Sequence, residues 1–128
     1  MKNQNLGRFP GCTFPASRPF AEGKPGEVVT ARIRNPLEDP SSQGKARPAV
    51  LHHRDGGRWV VMGLTTRSRY ANGMPRPAVP NPGACGLSRS RASFLWGRAT
   101  WVSVLDVGDH LGYADPELLA LIERAMLL

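Results

Sequence analysis

An Asp-Gly-Gly turn set between two apolar runs constrains this chain more than any other feature. The stretch reads "GKARPAVLHHRDGGRWVVMGLTT" over residues 44–66. Glycine accepts the positive φ that a tight hairpin demands, and Asp-Gly between two runs rich in Val and Leu is a strong signal for one. "RPAVLHH" and "RWVVMGLTT" therefore read as two antiparallel strands joined through "RDGG". In such a pair the start of the first strand and the end of the second lie side by side. That rule brings Arg47 beside Thr65.

The flanking sequence continues in the same manner. "GEVVTARI" supplies a β-branched strand after the turn at Gly26, and "ASFLWG" and "ATWVSVLDV" read as two further strands. Short strands joined by Gly/Pro-rich turns specify a small barrel or sandwich. The period changes only at the end. In "DPELLALIERAMLL" the apolar positions Leu118, Leu119, Leu121, Ile122, Ala125 and Met126 recur near helical spacing. Asp115 suits the cap, Pro116 the first turn and Glu117 the positive end of the helix dipole. The fold expected is mainly β with a short C-terminal helix.

Residues 1–25 differ from the rest. Closely spaced prolines forbid helix and central strand, so this is read as a flexible N-terminal arm ahead of one domain over 26–128. The polar loop "RNPLEDPSSQGKA" is long for a hairpin connection, and such loops are often functional.

Composition narrows the partner. Seventeen Lys and Arg against ten Asp and Glu leave a net charge of +7. Arginine supplies most of the excess, and its planar fork suits phosphate and carboxylate. An anionic partner, nucleic acid above all, is expected. Cys12 and Cys85 are too few for a disulfide framework and read as free thiols of a reducing cytoplasm. No apolar run approaches the roughly 18 residues of a membrane span, and the N-terminus lacks the apolar core of a secretory signal. A cytoplasmic protein without membrane contact is expected. The adjacent His52 and His53 point to opposite faces of a regular strand and His110 stands alone, so neither a metal site nor a cofactor is expected. Walker A and GxSxG signatures are absent.

Arg47 and Thr65 remain as the pair with chemistry to offer. A guanidinium and a hydroxyl facing one small pocket would bind the non-bridging oxygens of a phosphate. Taken singly, each is an ordinary residue for a strand end.

The segment "GEVVTARIRNPLEDPSSQGKARPAVLHH", followed by an apolar strand ending in "TT", resembles the MazF/PemK-like toxins of type II toxin–antitoxin systems. "WVSVLDVGDHLGYADPELLALIERAM" is similar to their late strand and final helix, so the resemblance spans residues 26–128. It implies an SH3-like small barrel of the MazF/CcdB-like kind, a homodimer, and a metal-independent endoribonuclease acting on single-stranded RNA, with an antitoxin protein as partner. On the motif the catalytic positions fall on Arg47 and Thr65. Arg34, Lys45, Thr66, Arg67 and Arg69 are the candidate RNA contacts around them. The chain departs from the family pattern where "IRNP" replaces an aromatic and an aspartate before the first loop, and where "GRATWVSV" replaces the usual late strand. The competing reading is a non-catalytic SH3-like module that binds nucleic acid or protein, a gyrase-inhibiting toxin being one version.

Overall fold

Gly56, at φ 63°, closes the hairpin that the sequence marks. Asp55 pairs with Arg58 across it, so the turn is the two glycines between them. The structure is a computed structural model that describes residues 23–33 and 45–127. Residues 1–22 of the expected arm over 1–25, with Cys12, and most of the expected loop, with Arg34, lie outside the described residues. Five strands form: β1 (Glu27–Ile33), β2 (Lys45–Asp55), β3 (Arg58–Thr65), β4 (Phe94–Ser103) and β5 (Val107–Tyr113). One helix, α1 (Pro116–Leu127), follows, and single 3-10 turns cover Pro82–Cys85 and Val104–Asp106. The sheet order is β4-β3-β2-β1-β5, and every neighbouring pair is antiparallel.

Both faces of this sheet are apolar, which explains why β1 and β3 read as nearly continuous hydrophobic runs. On one face Val28, Val50, Met62, Leu64 and Leu95 pack against Leu118 and Ile122 of α1, with Val79 and Cys85 closing the cluster. On the other face Val29, Ala31, Ala49, Leu51, Trp59, Val61 and Val102 form a second cluster, joined by Ile33 and Val107. Each fully buried large apolar side chain contributes roughly 1.5–3 kcal/mol, so two such layers on one sheet are the main source of its stability.

The helix begins as its sequence requires. Asp115 Oδ1 accepts from the Leu118 N–H at 3.0 Å, satisfying one of the orphan donors of the first turn. Its other oxygen accepts from Asn81 Nδ2 at 2.8 Å, which ties the helix start to the loop after β3. No helix among the described residues is long and apolar enough to cross a membrane.

Three expectations need correction. "ASFLWG" and "ATWVSVLDV" are not two strands. Most of both runs forms the single strand β4, which stays paired to β3 through a register shift between Met62 and Leu64. Gly97, at φ 109°, absorbs the irregularity inside an unbroken strand. The next strand is β5, "VGDHLGY", whose two glycines and weak alternation hide it in the sequence. The third correction concerns His52 and His53. A register shift between Leu51 and His53 makes His52 an extra residue in β2. A bulge of this kind breaks the alternation of side chains. The two rings therefore meet, centroids 5.0 Å apart, instead of pointing to opposite faces.

Candidate functional site

Ala49 pairs with Gly63 in the β2–β3 ladder. Two residues further along each strand stand Arg47 and Thr65, so continuing that register sets them opposite each other. Since side chains alternate, both lie on the face of Ala49 and Gly63, away from α1. Arg47 also pairs with Ala31 of β1, whose side chain belongs to the cluster on that face. Both residues are half-buried.

The environment of Arg47 adds a group that the sequence did not announce. Its guanidinium carbon lies 5.4 Å from the centroid of the Trp96 ring. A cation held against an indole keeps its fork oriented. Trp96 reaches this position because residue 63 is glycine. A Cβ built there would stand 3.0 Å from Trp96 Cε3 and 3.4 Å from Ile33 Cδ1. "LWG" in β4 carries the only local hint: Gly97 frees the backbone just after Trp96. The pairing itself joins residues 49 positions apart, and no local rule reveals it.

Thr65 is held from the other side. Its Oγ1 accepts from the Arg67 N–H at 3.2 Å. The oxygen serves as acceptor in this local turn, so the hydroxyl proton remains available for donation to an anion. The remaining expected contacts divide. Lys45 is the first residue of β2, opposite Ile33. Thr66 and Arg67 are exposed immediately beyond Thr65. Arg69 is exposed too, but its Nη1 donates to the Gly73 carbonyl at 2.8 Å, which gives it a part in shaping its own loop. Arg76, unremarked in the sequence, braces the same loop by donating to the Arg69 carbonyl at 2.6 Å.

The other reactive side chains sit elsewhere. His110 Nδ1 is 2.8 Å from Oε2 of Glu27, a buried carboxylate that also accepts from the Lys24 N–H. His52 Nε2 is 2.8 Å from Glu123 Oε2 on α1, while its Nδ1 is 2.7 Å from His53 Nδ1. Cys85 is a free, buried thiol whose pKa burial pushes up, so it is protonated and shielded rather than nucleophilic. Among the described residues no group of three or more His, Cys, Asp or Glu side chains is arranged to hold a metal ion.

The arrangement is a guanidinium steadied by an aromatic ring, a hydroxyl able to donate, and exposed positive charge just beyond. Donors of this kind suit an anion. No family model and no curated protein matches this chain.

Proposed function

We propose that this chain is a growth-inhibiting toxin of the MazF/PemK-like type, a metal-independent endoribonuclease that cleaves single-stranded RNA. One observation carries the reading: the β2–β3 register at Ala49 and Gly63, carried two residues further, brings Arg47 and Thr65 to one face of the sheet. The sheet order and the closing helix are compatible with an SH3-like small barrel, and we extend the proposal to that fold and to a homodimer.

In the proposed reaction the ribose 2′-oxygen attacks the adjacent phosphorus and gives its proton to water, and the bond to the 5′-oxygen breaks as that oxygen takes a proton from water. The products are a 2′,3′-cyclic phosphate and a 5′-hydroxyl. Negative charge grows on the non-bridging oxygens in the transition state. Arg47 meets that charge with two in-plane N–H donors, and Thr65 adds its O–H while the Arg67 N–H holds the oxygen in place. Donors fixed in advance near developing charge lower the barrier without reorganisation at the moment of reaction. A guanidinium is a poor base, so the role of Arg47 is electrostatic. Thr66 and Arg67, with Lys45 at the start of β2 and, from the sequence, Arg34, would contact the flanking RNA, and an acidic antitoxin segment would compete for the same charge.

The test is incubation with several single-stranded RNAs in excess EDTA, with end-group mapping of the products. Defined fragments ending in a cyclic phosphate are expected. Binding without cleavage of any RNA would replace this reading with the non-catalytic module.

A further inference from the structure

A second site lies on the helix side of the sheet, across β4 from Arg47. It is an open cleft of about 470 Å³, within the size range of small-molecule sites. One wall is β4 at Gly97, Arg98 and Ala99. The opposite wall is the second half of α1, with Leu121, Arg124, Ala125 and Met126. Tyr70 and Pro77 from the loop after β3 complete it.

Two properties set this cleft apart from an ordinary surface groove. The first is its charge. Arg98 and Arg124 come from opposite walls, and both are exposed. Neither forms an ion pair or hydrogen bond among the described residues, and the only carboxylate of α1 with a β-strand partner, Glu123, is engaged with His52. Two cations therefore flank an otherwise apolar surface, with no ion-pair partner among the described residues. The second is its construction. Gly97 adopts φ 109°, and a Cβ there would stand 2.6 Å from Tyr70 Cε1 and 2.7 Å from Tyr70 Oη. Tyr70 forms its wall only because the β4 irregularity carries a glycine at this point. On its other side the ring is covered by the Arg76 guanidinium, 4.9 Å from the centroid, which fixes the wall.

We infer that this cleft binds an amphipathic anion: an apolar chain lying on Leu121, Ala125, Met126 and Ala99, with one carboxylate or phosphate head held between Arg98 and Arg124. Burial of the chain against the helix supplies the driving force, and the paired guanidiniums select a negative head over a neutral one. The site is separate from Arg47 and Thr65, so it stands or falls independently of RNA cleavage.

Decanoate, decyl phosphate, decanol and decylamine serve as probes, titrated into the full-length protein by calorimetry and by NMR shift mapping. Saturable binding of the two anions is expected, with shifts on α1 and β4. Decanoate and decyl phosphate differ in affinity according to which head the site prefers. Decanol binds more weakly and decylamine not at all. Loss of both cations in Arg98→Ala/Arg124→Ala weakens anion binding by about tenfold or more, and Ala125→Trp, which fills the cleft, abolishes it. Arg47→Ala leaves it unchanged. The inference fails if neither anion saturates, if decanol binds as well as decanoate, or if the double variant binds like the wild type. It fails equally if sedimentation shows that a second copy of the chain covers this face and excludes the probes. Circular dichroism of each variant separates a lost site from a lost fold.

Discussion

Gly97→Ala tests the construction of β4 directly. Two costs are expected, and they have different origins. The backbone sits at φ 109°, where an L-residue is strained by roughly 1–3 kcal/mol. The new Cβ would also start 2.6 Å from Tyr70 Cε1, whereas ordinary contact begins near 3.4 Å, so the ring must retreat by about 0.8 Å. Overpacking of this kind costs roughly 1–3 kcal/mol, less where the ring edge can swing away. The sum is about 2–6 kcal/mol, a large part of the roughly 5–15 kcal/mol that holds a domain together. Urea denaturation at constant m-value gives the total. A double-mutant cycle with Tyr70→Ala separates the parts, because truncating the ring removes the clash and leaves the backbone strain. Gly97→Ala in the Tyr70→Ala background is expected to cost only about 1–3 kcal/mol. A single-variant cost below about 0.5 kcal/mol, or a cycle with no coupling, would refute the reasoning: the first would remove the strain, the second the contact.

Arg47→Ala is expected to lower the rate of RNA cleavage by roughly 10²–10³, the usual effect of removing one donor to an oxyanion, with thermal melting little changed; Arg47→Lys restores little because a point charge lacks the fork. Full activity in either variant would remove Arg47 from the site. Thr65→Val keeps the strand and loses the hydroxyl, so kcat is expected to fall while Thr65→Ser retains most of it; equal kcat in wild type and Thr65→Val would show that the hydroxyl does nothing. Cys85 gives a pH prediction. Burial raises its folded-state pKa above the ordinary thiol value of 9.0, with the Asp115 charge adding to the rise and a backbone hydrogen bond at Asp115 opposing it. The unfolded thiol therefore ionises first, and the stability it contributes is complete below pH 9 and lost as pH rises through the folded value. The stability difference between wild type and Cys85→Ala is expected to shrink or reverse above that pH; a difference independent of pH would count against it.

The parts of this fold that were legible in the sequence are those specified by neighbours along the chain. Gly56 and Gly57 announce the hairpin because the turn needs a positive φ that glycine supplies. Asp115 and Pro116 announce the start of α1 because the orphan N–H groups of a first turn need a nearby acceptor. Strand β5 was hidden because its place is set by partners distant in sequence. It pairs with β1 through two register shifts, and the Asp109 N–H donates to Thr30 Oγ1 at 2.8 Å. At the site, register made Arg47 and Thr65 legible together. Trp96 was not, since its approach depends on the missing side chain of Gly63 and on the irregularity at Gly97.

The bulge at His52 has an effect beyond the two histidines. In a regular strand, residues seven apart lie on opposite faces. Arg47 and Arg54 are seven apart in β2, yet Arg47 lies over Trp96 and Arg54 over Trp59, at 5.4 and 5.8 Å, both on the face away from α1. One inserted residue between them restores the odd spacing to a common face. The strand thus presents an arginine against an indole near each end of one face, separated by roughly 20 Å at about 3.3 Å per residue. Ala49 and Leu51 between them are buried, so a single-stranded polyanion would meet the two arginines at the ends of β2 and not along its length. Arg54 is far from Thr65, so its part in the proposed function is binding alone. Arg54→Glu is expected to weaken RNA binding at low salt and to reduce the dependence of log K on log salt by about one unit, while the rate at saturating RNA stays that of the wild type. The assay is a salt series of fluorescence-anisotropy titrations on an uncleavable RNA carrying 2′-deoxyribose. An unchanged salt slope would place the RNA away from this end of the strand. A lower rate at saturation would instead mean that Arg54 supports the chemistry through the fold, and circular dichroism of the variant would then show the altered sheet.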